Sequence, residues 1–138
     1  MIRKVSAVVL GIVAAVAIVA AVEAIGHSVY PIPPDVDVND PVRFENYVAS
    51  LPFGAFLFVL ASWNFGAFGG GLLAVFIARH KPFIYATIVG AFVLVASVAN
   101  LIMIPHPLWF SVTAVISISV MTTVTGLIAS SRFSAGNN

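Results

Sequence analysis

Glu23 and His27 stand four residues apart near the end of a long apolar run, so a helix would set a carboxyl and an imidazole on one face. Such a pair can pass a proton or hold a cation, because burial and a neighbouring imidazolium both act on a carboxyl's proton affinity. The alternative is an ion pair that merely anchors the helix end. With His106 added, Glu23, His27 and His106 offer the nitrogen and oxygen ligand types of a zinc site. No tight multi-ligand spacing stands behind that trio, so no metal is assigned and it is only a candidate set. Asn100 precedes His106 by six residues and belongs with it if both fall at the same membrane face. Glu23, His27, Asn100 and His106 are therefore the candidate polar site. Asn64 lies deeper, where an amide most often hydrogen-bonds between helices.

Other chemistry is absent from the chain. There are no cysteines, hence no disulfide, thiolate metal site or cysteine nucleophile. Gly66 to Gly71 lies inside an apolar run with no Lys-Ser or Lys-Thr after it, so it is not a phosphate loop. Ser28, Ser62 and Ser111 lack a nucleophile elbow. The sequence thus implies no cofactor and gives no positive sign of an enzyme.

These groups must be positioned by four apolar runs, which set the fold class as all-α: a polytopic membrane protein with four transmembrane helices and one short interfacial helix. The expected helices cover about 5–25, 51–78, 82–104 and 108–130. About 20 apolar residues cross a bilayer. Charged residues are 8% of the chain, hydrophobic residues are 61%, and mean hydropathy is +1.11. The 138 residues make one transmembrane domain with no polar module beside it. A formal net charge of +1 offers no field for nucleic acid. The runs are too long and too uniformly apolar for barrel strands. No internal repeat relates one pair of runs to the other.

Sidedness follows from the few charges. Arg3, Lys4, Arg79, Lys81 and Arg132 fall on one side of the spans and Arg43 alone on the other. The positive-inside rule then puts both termini in the cytoplasm of an inner (plasma) membrane. A cleaved signal peptide is the competing reading of the first run, with Val22-Glu23-Ala24 as the cleavage site, but Val5 to Val22 is long for that role.

The outer loop, 26–50, is punctuated by Pro31, Pro33 and Pro34, and then by Asp40-Pro41, an N-cap followed by an early-turn proline. Ser50-Leu51-Pro52 reads as a second such start. Between them Phe44, Tyr47, Val48 and Leu51 repeat at helical spacing, which predicts a short amphipathic helix on the outer surface. Tyr30, Tyr47 and Trp109 fit an outer aromatic belt, and Tyr85 an inner one. The polar tail, 131–138, is expected to be disordered.

Ser62, Gly66, Gly70, Ala74 and Ala78 recur every four residues in the second run, leaving one face nearly bare backbone. Such faces let helices approach closely in lipid. The first run offers Ala7, Gly11 and Ala15 to it, and the fourth Thr122, Gly126 and Ser130. The second run is the expected central helix, packing its own bundle or, alternatively, a homodimer.

Two resemblances bear on function. Ala21-Val22-Glu23-Ala24-Ile25-Gly26 looks like the first-helix glutamate motif of small multidrug resistance transporters, over about six residues; the acid here sits at the helix end, and the 25-residue outer connection is foreign to that family. More of the chain resembles an uncharacterised group of small four-helix bacterial inner-membrane proteins. The shared features are Glu23 with Gly26-His27, Tyr30-Pro31, Leu51-Pro52, the Gly69-Gly70 helix, and Asn100 followed by Pro105-His106-Pro107-Leu108-Trp109. That resemblance implies fold and location rather than an activity. The expected role is an interaction or accessory subunit of a larger membrane assembly; the alternative is a minimal homo-oligomeric transporter or channel using Glu23 and the asparagines. The expected partners are the lipid bilayer and a homo-oligomer or larger complex, with no nucleic acid.

Overall fold

The computed structural model describes residues 1–135, with side chains through Arg132. It is all-helical: α1 (Ile2–Val29), α2 (Pro41–Ser50), α3 (Phe53–Ala78), α4 (Pro82–Met103) and α5 (Leu108–Ala135). All but α2 are long and apolar enough to cross a membrane. The spans alternate in direction. One end, the basic end, carries the N-terminus, the α3–α4 turn and the last turns of α5. The other carries α2 and the α4–α5 turn.

Local chemistry sets the helix ends. Asp40 caps α2, its Oδ1 accepting from the Val42 and Arg43 amides at 3.0 and 3.3 Å, with Pro41 in the first turn. The second expected start is displaced: Ser50 closes α2, donating its hydroxyl to Tyr47 O, and Pro52 is the residue before α3. Proline has no side-chain acceptor, so α3 starts without a side-chain cap, and the Ala55 amide donates to Pro52 O at 2.9 Å. α1 runs past Gly26 to Val29, because Gly26 keeps helical geometry and serves packing instead. The tail expected to be disordered is helical as far as Ala135, and residues 136–138 lie outside the described residues. Ser130 and Ser131 bond back to Leu127 O and Ile128 O, and Arg132 complements the carbonyl end of the helix.

At the basic end the α3–α4 connection is Arg79-His80-Lys81. Arg79 and Lys81 are both left-handed, with φ of 57° and 47°, which lets so short a turn reverse the chain. Each such residue costs about 1–2 kcal/mol in an L-amino acid. Arg3 reaches across and donates from Nη2 to Ala78 O at 2.9 Å, covering one of the open carbonyls at the end of α3. Tyr85, expected at the membrane interface, is instead buried at 6% exposure with its ring edge-on to His80.

The small-residue face is the seam between α1 and α3. A methyl on Gly70 would lie 2.5 Å from Gly11 O and 2.6 Å from Ala15 Cβ; one on Gly66 would lie 3.0 Å from Ala15 O. Ala7, Gly11 and Ala15 on α1 and Ser62, Gly66, Gly70, Ala74 and Ala78 on α3 are all buried. The stripe therefore packs this chain's own bundle, with α3 against all three other spans. Gly90 on α4 is filled by Thr122 of α5, and Gly126 by the ring of Phe83. Interior positions farther along are taken by Val75, Val89, Ala114 and Ile118, each 0–1% exposed.

Candidate functional site

At the end opposite the basic turn the spans diverge around a cavity of ≈ 250 Å³. Glu23 and His27 reach it from α1, Asn100 from α4 and His106 from the α4–α5 turn, so the sequence-predicted set shares one space. α2 covers it. Phe44, Tyr47, Val48 and Leu51, the predicted apolar face, all line the cavity, and Val48 is buried at 4% exposure. Burial of that face is what holds a ten-residue helix in place.

α1 and α3 meet the cavity at close range. Gly26 admits the Phe58 side chain, whose Cβ would stand 2.9 Å from a methyl at that position. The Tyr30 hydroxyl lies over Gly54, and its ring meets Phe58 edge-on at 6.1 Å. Tyr30 and Tyr47, expected in an outer belt, are half-buried and part of the cavity wall. Trp109 is 43% exposed and rests on Phe53 at 5.1 Å and Phe56 at 5.8 Å.

Glu23 departs from expectation. No ion pair with His27 forms: among the described residues the one ion pair within 4.0 Å is Arg43 Nε with Asp40 Oδ2, at 3.5 Å. The partner of Glu23 is Ser62, whose one hydroxyl hydrogen is shared between Val59 O at 2.7 Å and Glu23 Oε1 at 3.3 Å. Ser62 is fully buried and Glu23 half-buried, so the carboxyl is tied to the central helix and His27 stays exposed. The i, i+4 spacing puts both side chains on one face, but the rotation of α1 against α3 decides which one faces inward.

His106 is held by its surroundings. Nδ1 lies 2.6 Å from Ile104 O, and a carbonyl can only accept, so Nδ1 carries the proton. In the neutral ring Nε2 is then an acceptor. The ring stacks on Phe110 at 5.1 Å and 18°, and meets Phe56 edge-on. Burial lowers its pKa from the ordinary value, only partly offset by the bond to Ile104. The candidate metal trio does not come together: among the described residues no three His, Cys, Asp or Glu side chains lie close enough to hold a metal ion.

Below the cavity the bundle closes. Trp63, at 5% exposure, packs on Phe110, and Phe110 on Phe56. Asn64 hydrogen-bonds between helices as expected, donating Nδ2 to Ser117 Oγ at 3.0 Å and to Leu60 O at 2.8 Å. Its Oδ1 and the Ser97 hydroxyl are buried without a partner.

Two features escaped the sequence. Ser62 reads there as one small residue in a packing stripe, with nothing to mark it as the carboxyl's partner. The role of α2 as a lid was also hidden, although its apolar face was legible. Comparison with family models, curated proteins and solved structures finds no match.

Proposed function

We propose that this chain is a small multi-pass protein of a bacterial inner membrane, with cytoplasmic termini, that binds a small ligand from the outer side in the cavity under α2. The observation that carries the reading is the convergence of Glu23, His27, Asn100 and His106 on one space covered by α2, since an ionisable group within a span is by default a functional-site hypothesis. Orientation rests on five of six Lys and Arg residues gathering at the basic end. The resemblance to small four-helix bacterial proteins supports the choice of membrane.

Binding fits the geometry better than conduction through a single chain. Phe56 lines the cavity and is backed by Phe110 and, behind it, Trp63, and the α1–α3 seam is closed by backbone contact. Binding without turnover suits an accessory component of a larger membrane assembly. The glycine face is used inside the bundle, and the outward side of α2 with the segment before it offers a partner an open groove bordered by Pro33, Asp35, Arg43, Asn46 and Ser50.

Two experiments test this. A cysteine at Asp37 should react with an impermeant maleimide added to intact cells and one at His80 should not; the reverse would invert the molecule. Glu23→Gln, which keeps an acceptor for Ser62, should weaken ligand or partner binding at least tenfold with little change in melting temperature. Coupled loss of stability with binding intact would reduce Glu23 to an anchor.

A further inference from the structure

We propose that the ligand of this cavity is a small organic cation, a protonated amine carrying a compact apolar body, with its ammonium at Glu23 and its body against the aromatic wall. The inference rests on the cavity being a binding site and names what it takes.

The wall is rich in acceptors. Glu23 uses Oε1 for Ser62 and keeps its second oxygen for a ligand. His106, its proton committed to Ile104 O, has only an acceptor nitrogen left, and its lowered pKa means that it adds no positive charge near neutrality. Asn100 adds an amide, whose oxygen can accept, and His27 also lines the cavity. An ammonium brings three donors to such a set. The remaining wall includes Tyr30, Phe44, Tyr47 and Phe58, whose ring faces attract cations once water is excluded.

Charge distribution points the same way. All five acids of the chain, Glu23, Asp35, Asp37, Asp40 and Glu45, belong to the cavity end, with Arg43 the one Lys or Arg there, and Arg43 is paired with Asp40. The mouth is therefore electronegative although the whole chain is nearly neutral. Such a field concentrates cations at the entrance and repels anions. Size sets the upper limit: ≈ 250 Å³ lies under the range of about 300–1,000 Å³ typical of drug-sized pockets, which suits one ring with a short amine arm.

The test is calorimetric titration of the full-length protein in lipid nanodiscs at pH 7 with phenethylamine, its neutral analogue 2-phenylethanol, and the anion phenylacetate. Empty nanodiscs correct for partition into lipid. Phenethylamine should bind saturably and at least tenfold more tightly than the other two. Glu23→Gln should cut amine affinity at least tenfold and leave the alcohol unchanged, with size-exclusion profile and melting curve preserved. Ala55→Trp, which fills the cavity from α3, should abolish binding of both. Alcohol or phenylacetate binding as tight as the amine, and lost in Ala55→Trp, overturns the cation while leaving the cavity as a site. No saturable binding by any probe, or amine binding that Ala55→Trp leaves intact, overturns both.

Discussion

Adding one methyl group at Gly70 should separate α1 from α3. An ideal Cβ there lies 2.5 Å from Gly11 O, 2.6 Å from Ala15 Cβ and 3.0 Å from Ala15 N. Comfortable carbon contacts are about 3.5–4.0 Å, so α1 must retreat by about 1 Å along the seam, and a gap of that size forfeits a quarter to a half of each dispersion contact. Two of the three obstacles are backbone atoms that no rotamer change can move. Overpacking of this kind costs about 1–3 kcal/mol. Alanine's better helix propensity returns about 0.5–1 kcal/mol. Gly70→Ala should therefore lose up to about 2.5 kcal/mol net. Gly69 is the internal control, because its added methyl meets only the Ile18 side chain, crowding the terminal Cδ1, which can rotate away, and touching Cγ1 at an ordinary 3.9 Å. Gly69→Ala should be neutral or stabilising by up to about 1 kcal/mol. Reversible unfolding in mixed micelles, followed by the fluorescence of Trp63 and Trp109, measures both. Equal effects at the two positions, or a Gly70→Ala protein more stable than the native one, would refute a seam built on backbone contact.

The structure supports further predictions. Stability should fall on acidification from near pH 6.5, the ordinary histidine value, toward the lowered pKa of folded His106, because in that window the unfolded chain binds the proton more readily; melting temperature against pH should flatten in His106→Gln. Asn64→Leu should change stability by less than about 1 kcal/mol, since the lost bond to Ser117 is worth about 0.6 kcal/mol and the change also removes a buried oxygen without a partner. Arg79→Gly should raise stability by up to about 1 kcal/mol in the same micelle assay, because glycine relieves the left-handed backbone while loosening the unfolded chain.

What the sequence made legible was what depends on one helix at a time. Apolar run length marked all four spans, the Asp40-Pro41 pair marked the start of α2, and helical spacing identified Phe44, Tyr47, Val48 and Leu51 as its buried face. Alternation of direction then carried Glu23, His27, Asn100 and His106 to one end. Relations between helices were not legible, because they depend on axial rotation. Ser62 rather than His27 became the partner of Glu23 for that reason, and Tyr85 turned into the interior. The reversal at Arg79 to Lys81 was hidden differently: it uses left-handed residues with neither glycine nor asparagine to announce them.

The α1–α3 seam also has a consequence for biogenesis. Gly11 and Gly70, which touch across it, are far apart in sequence, so α1 enters the membrane well before its main neighbour has been made. Until then its small-residue groove faces lipid tails, which are as apolar as any side chain and impose little penalty for waiting. Glu23 waits less comfortably, with no Ser62 to donate to its carboxyl. The four-residue break from Ile104 to Pro107, by contrast, lets α4 and α5 insert as a hairpin whose Gly90–Thr122 contact closes soon after synthesis. The arrival of α3 is thus the event that commits the fold, engaging the groove and the acid of the first helix together.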